Sequence, residues 1–175
     1  MPQGNLFDLL SAPARPGRVV WIGLRPGRRT MVMPVDQAAL DPVAGLAGDH
    51  YTNRNSRSRQ VTLIAEEALH AIAAYLGRPG IEPGMMRRNI VMAGINPHAL
   101  KSRNVRIGSA ELQITGECHP CSRMEEIFGP GGYNAVRGHG GLTARIVAGG
   151  IVRIGDPIIG IIRPSSKAEQ TPPAG

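Results

Sequence analysis

The chain has 175 residues, 42% of them apolar, a net charge of +7 and two cysteines. That is the length of one domain, enough to bury roughly two thirds of its unfolded surface. Two cysteines exclude a disulfide scaffold, and no apolar run is long enough to span a bilayer. The start, Met1-Pro2-Gln3-Gly4-Asn5-Leu6, lacks the charged and apolar regions of a signal peptide, so a cytoplasmic protein with no membrane partner is expected.

Arginine supplies nearly all the positive charge, since Lys101 and Lys167 are the only lysines. A high G+C content accounts for much of that bias, as it does for the abundant Gly, Ala and Pro. Whatever its origin, a field of guanidinium groups favours an anionic ligand. Nucleic acid is not expected. The aromatics (Phe7, Trp21, Tyr51, Tyr75, Phe128, Tyr133) are not interleaved with basic residues, and no nucleic-acid-binding motif is present.

Residues 1–17 are rich in Pro, Ala and Arg and read as irregular. Arg18–Leu24 and Thr30–Met33 flank Pro26-Gly27 and predict a hairpin. Gly45 and Gly48 bend the segment Asp41–Asp49, and Arg54–Arg59 forms a basic loop that could be solvated or could clamp an anion. Gln60–Ile64 reads as a buried strand. Glu66–Leu76 is the one convincing helix, with Leu69, Ile72, Ala73 and Leu76 on one face and Gly77 then Pro79 as the stop. His70 is expected on its exposed side. Arg88–Met92 gives another strand, and Gly108-Ser109 joins two more at Val105–Ile107 and Glu111–Thr115.

Leu142–Val147 and Ile151–Ile154 flank Ala148-Gly149-Gly150 as a further hairpin, and Ile158–Ile162 follows the Asp156-Pro157 turn. About eight strands and one main helix predict a mostly β fold, a closed or nearly closed mixed β-barrel over residues 18–163. Residues 164–175 read as a disordered tail.

Cys118-His119-Pro120-Cys121 is the segment richest in chemistry. An alternating strand leads into it, and Ser122–Phe128 leaves it as a short helix stopped by Gly129-Pro130. A thiol at a helix start is expected to favour the thiolate, which attacks electrophiles and binds metals. Two half-buried apolar thiols or a local disulfide are the plainer alternatives. Structural zinc would draw on Cys118, His119 and Cys121 with His139 or His50, but the second cysteine pair of such sites is missing. A thioredoxin-like dithiol fits the spacing but not the hairpin surroundings. Gly129–Gly141 follows at once. Its glycines would let backbone N–H groups approach an anion, with Arg137 adding a charge, or it is a long loop.

Together these residues resemble the MOSC domain, the C-terminal module of molybdenum cofactor sulfurases, also found as a stand-alone bacterial protein. The landmarks run from Gly45–His50 through Ser58–Ile64, Arg87–Val91 and Gly116–Cys121 to Arg137–Leu142 and Gly149–Asp156. The resemblance implies a barrel in which Cys121 ligates the molybdenum of a pterin cofactor and acts in catalysis. Reduction of an N-hydroxylated small molecule would follow, with electrons from an external reductase. It also implies Arg59, Arg88, Asn89, Arg137 and His119 as contacts to the cofactor. The alternative within the family is a sulfur carrier or cofactor-delivery module with a persulfide on Cys121, fed by a cysteine desulfurase. Neither Lys101 nor Lys167 sits where a resident pyridoxal phosphate would need it.

Overall fold

The computed structural model describes residues 6–51 and 56–161, so the tail at 164–175 and part of the basic loop (Arg54 and Asn55) lie outside the described residues. A short helix α1 (Leu6–Ser11) occupies the segment expected to be irregular. The first hairpin forms, but its return strand begins at Met33, where the expected Thr30–Met33 strand ends: β1 (Gly17–Leu24) pairs with β2 (Met33–Val35), Ile22 facing Val35 and Leu24 facing Met33.

Two strands were not foreseen, β3 (Gln37–Asp41) and β4 (Gly45–Leu46). In β3 only Ala38 and Leu40 are buried, an alternation too short and too weakly apolar to announce itself. β5 (Val61–Ala65) runs directly into α2 (Glu66–Tyr75), which buries Leu69, Ile72 and Ala73 and returns the chain to β6 (Ile90–Ala93), parallel to β5. His70 is exposed, as expected. β7 (Asn104–Ile107) and β8 (Ala110–Glu117) form the expected hairpin about Gly108, whose φ is +56°. Two more helices follow, α3 (Ser122–Phe128) and α4 (Gly132–Val136), then β9 (Leu142–Ala148), β10 (Gly150–Arg153) and β11 (Pro157–Ile161).

The strands β1, β6, β5, β9, β8, β7 and β11 pair in that order, and β11 pairs back to β1, so the barrel closes. All pairings in the ring are antiparallel except β5 with β6. Its interior holds Val19, Ile22, Leu63, Ile90, Met92, Ile107, Leu112 and Leu142, each about fully buried. A second core lies outside the wall. Ile64 of β5 and Val91 of β6 turn outward to meet Leu69 and Ile72 of α2, Met124 and Phe128 of α3 and Val136 of α4. The parallel pair is therefore buried on both faces, which explains why both strands read as unbroken apolar runs.

β9 and β10 do not form the expected hairpin. β10 instead pairs with β3 in a separate three-stranded sheet, Gly150 facing Leu40. The glycines there serve close passage. A Cβ on Gly149 would lie 2.8 Å from the Leu40 carbonyl oxygen, and one on Gly150 only 2.5 Å from the Ser109 backbone. Glycine signals a tight backbone approach as readily as a turn, and here the approach wins.

Candidate functional site

β8 ends at Glu117, and the chain runs through Cys118–Pro120 before Cys121 takes the N-cap position of α3. Both cysteines are free. Cys118 is buried and Cys121 is exposed. The backbone N–H of Cys118 donates to the Gly141 carbonyl at 2.8 Å, which lays this strand end along the segment leading into β9. That contact needs Gly140 and Gly141. A Cβ on Gly140 would sit 1.9 Å from the Cys118 carbonyl oxygen, and one on Gly141 2.0 Å from that of Leu63.

Arg88 is buried beside this crossing. Its Nε donates to the Gly140 carbonyl at 2.7 Å and its Nη1 to the Met86 carbonyl at 2.8 Å. No carboxylate pairs with it among the described residues. Burial holds its pKa below the ordinary arginine value; the Cys118 and Cys121 sulfurs act against that, while the Arg25 and Arg59 charges add to it. Arg59 is exposed, and its Nη2 lies 3.7 Å from the Cys118 sulfur. Arg59 thus meets the Cys118 sulfur and Arg88 lies against the Gly140 passage beside the Cys118 backbone, and among the described residues neither has a carboxylate partner.

In front of Cys118 opens a cleft of about 270 Å³. Ala65 at the end of β5 and Ala68 and Ala71 of α2, with Pro97, Pro120 and Leu142, give it apolar walls. His98, His119 and His139 line its polar side. The His139 ring leans on Tyr75, centroids 5.4 Å apart. At the mouth, Glu117 pairs through Oε1 with the Lys101 ammonium; His98 Nδ1 is 3.8 Å from the same oxygen and His119 Nδ1 4.0 Å from Oε2. The hydrogen bond from Lys101 and its charge hold the Glu117 carboxyl below its usual range. Among the described residues no three His, Cys, Asp or Glu side chains group as a metal cage.

The other expected contacts lie elsewhere. Asn89 is spent inside the protein: its Oδ1 accepts from the Thr62 N–H and hydroxyl, and its Nδ2 donates to the Gly23 carbonyl and to Asp49 Oδ2. That network centres on a residue the sequence reading passed over. Arg25 grips the buried Asp49 carboxylate with Nε at 3.1 Å and Nη2 at 2.7 Å, and its Nη1 reaches the Arg87 carbonyl. Gly48-Asp49-His50 was the only sequence signal for it. Burial alone would raise the Asp49 pKa, but the hydrogen bonds and charge of Arg25 prevail and hold it low. His50 belongs to this network through the Arg25 carbonyl, at 3.1 Å from its Nδ1, and does not line the cleft.

Arg137 is exposed outside the cleft, its Nη1 3.4 Å from Asn134 Oδ1. The glycine-rich segment also has its own anion. Glu125 of α3 accepts from the Gly131 N–H at 2.7 Å and the Tyr133 N–H at 2.8 Å, and these bonds hold its pKa low. α4 forms there because Gly132 packs against α3, where a Cβ would meet the Met124 carbonyl at 2.4 Å.

Fold and site together define a mixed β-barrel with a helical cap, a cleft walled in part by Cys118, and a second, exposed cysteine beside it at Cys121. The MOSC domain model matches residues 49–159, and the chain belongs to that family. Among solved structures, the YuaD protein from Bacillus subtilis superposes with a TM-score of 0.71 at 19% identity, covering 84% of this chain and 96% of that one. YiiM from Geobacillus stearothermophilus gives 0.68 at 16% identity, over 83% and 75% of the two chains. YiiM from Escherichia coli gives 0.65 at 18% identity, over 85% and 71%. At these identities the likeness is one of fold. No curated relative matches the chain.

Proposed function

We propose that this MOSC protein binds molybdenum cofactor, with the Cys121 sulfur as its ligand to the metal, and reduces an N-hydroxylated small molecule. The observation that supports this most directly is Arg88, a buried cation with no acidic partner among the described residues, held at Gly140 beside the Cys118 backbone. Such a charge is stable when an anion completes its surroundings. The cofactor's phosphate is that anion, and Arg59 and Arg88 are its contacts. Cys121 offers an exposed sulfur of the soft kind that molybdenum accepts. The thinness of the ligand set also fits, because the pterin's own sulfurs would supply the rest.

When bound, the cofactor supplies two-electron chemistry at the metal. The chain's part is to seat and orient. Ala65, Ala68, Leu142 and Pro120 keep water from an apolar substrate body, and His98 and His119 present N–H groups at the mouth. His119 stays in this reading as a cleft-lining group. Asn89 leaves it, since its amide is spent in the Asp49 network, while Arg137, exposed like Arg59, stays in it as a cofactor contact from beyond the cleft wall. Electrons come from a separate reductase.

The test is molybdenum and pterin content of protein made in cofactor-competent cells. About one molybdenum per chain is expected, lost in Cys121→Ser and largely kept in Cys118→Ser. Chains so loaded should then reduce hydroxylamines or amidoximes with a chemical electron donor. Wild type free of molybdenum would overturn the reading.

A second reading follows from the exposure of Cys121, which does not line the cleft. A sulfur-donating protein such as a cysteine desulfurase could reach it there, and the chain would carry sulfur as a persulfide.

A further inference from the structure

Cys118 has no task in either reading, yet it is the cysteine that faces the cleft. We infer that the two cysteines form a sulfur relay, in which Cys121 takes up a sulfane sulfur at the surface and Cys118 carries it into the cleft. This rests on the sulfur-carrying reading of Cys121.

The division of exposure is what gives the relay a direction. Cys121 is exposed at the α3 N-cap and off the cleft; Cys118 is buried, and its residue forms part of the cleft wall. Only His119 and Pro120 lie between them, so their Cα atoms are at most about 11 Å apart even in a fully extended chain. Arg88 is held at Gly140, which passes directly against the Cys118 backbone. Arg59 donates to the Cys118 sulfur at 3.7 Å. Cys118 therefore has the cationic surroundings that an anionic sulfur chain requires.

The step balances without an oxidant or reductant. The Cys118 sulfur attacks the outer sulfur of the Cys121 persulfide. The S–S bond on Cys121 breaks, its electron pair leaves on the Cys121 sulfur, and a new S–S bond forms on Cys118. The thiol proton of Cys118 passes to the departing Cys121 sulfur. One persulfide and one thiol go in, and one of each comes out. The competing attack on the inner sulfur would instead close a Cys118–Cys121 disulfide and expel hydrosulfide.

The experiment is a time course of the reduced protein with sodium tetrasulfide, read by peptide mass spectrometry for a gain of about 32 Da on each cysteine. Wild type should gain first on Cys121 and then on Cys118. In Cys118→Ser the gain should stay on Cys121, and in Cys121→Ser loading of Cys118 should slow at least about tenfold. Arg59→Gln, which removes the donor to the Cys118 sulfur, should reduce the gain on Cys118. A gain that never leaves Cys121, or equally fast loading of Cys118 without Cys121, would overturn the relay and leave the carrier reading standing. A disulfide with released hydrosulfide would also overturn it. No gain on either cysteine removes the carrier reading, and the relay with it.

Discussion

The Nε of Arg88 donates to the carbonyl oxygen of Gly140 at 2.7 Å across 52 residues of chain, and Gly140 in turn leaves no room for a Cβ beside Cys118. One side chain thus ties the start of β6 to the approach to β9 and packs both against the thiols. The same guanidinium holds the Met86 carbonyl, so its charge is fixed in place by backbone.

Replacing Arg88 by Met should therefore injure the fold as well as the site. Two carbonyls lose their donor, and the expected loss is about 2–4 kcal/mol in urea unfolding. Arg88→Lys keeps the charge but cannot bridge both carbonyls, so it should lose less stability. A wild-type urea midpoint in Arg88→Met would refute this account of the residue.

Gly140 and Gly138 separate crowding from backbone strain. Gly140→Ala drives a methyl to 1.9 Å from the Cys118 carbonyl and should destabilise by about 3 kcal/mol or more. Gly138 has φ +77° with open space around it, so Gly138→Ala should cost only about 1–2 kcal/mol. Equal shifts in the two denaturation midpoints would mean that the close passage beside Cys118 is not what selects glycine there.

Asp49 makes stability depend on pH in a definite direction. Its folded pKa lies below the ordinary 3.8, so its contribution is complete above that value and is lost as pH falls through the lower, folded one. Arg25→Met should reverse the sign. The carboxylate left behind is buried without its cation, burial raises its pKa, and the variant should gain stability from this group on acidification. At pH 7 the expected loss is about 3–5 kcal/mol. Urea unfolding of both proteins from pH 4 to 7 checks it, and parallel curves would rule it out.

The barrel was legible because its strands are amphipathic or doubly buried, and α2 because Leu69, Ile72 and Ala73 keep helical spacing. What stayed hidden depends on contacts distant in sequence. Gly149 and Gly150 looked like a hairpin turn until Leu40 and Ser109 were seen to occupy the space beside them. Gly129–Gly141 looked like an empty anion loop because nothing local says that Glu125 fills it. Cys118 and Cys121 stood out by chemistry, and Arg59 and Arg88 were picked for charge. Only the fold shows that Arg59 reaches the Cys118 sulfur and Arg88 the adjoining Gly140 while Asn89 turns to Asp49.

Seven is an odd number, and that fact reaches the cleft. Around any closed ring of strands, the count of reversals in direction must be even, so seven neighbours cannot all alternate. One like-directed pair is forced, and here it is β5 with β6. Like-directed neighbours cannot be joined by a tight turn; the chain must climb back outside the wall before it descends again. That return path is α2, and its Ala68 and Ala71, with Ala65 where β5 hands over to it, are one side of the cleft. An eight-stranded ring could have alternated throughout with no helix there. The cavity beside Cys118 is, in that sense, a debt of arithmetic.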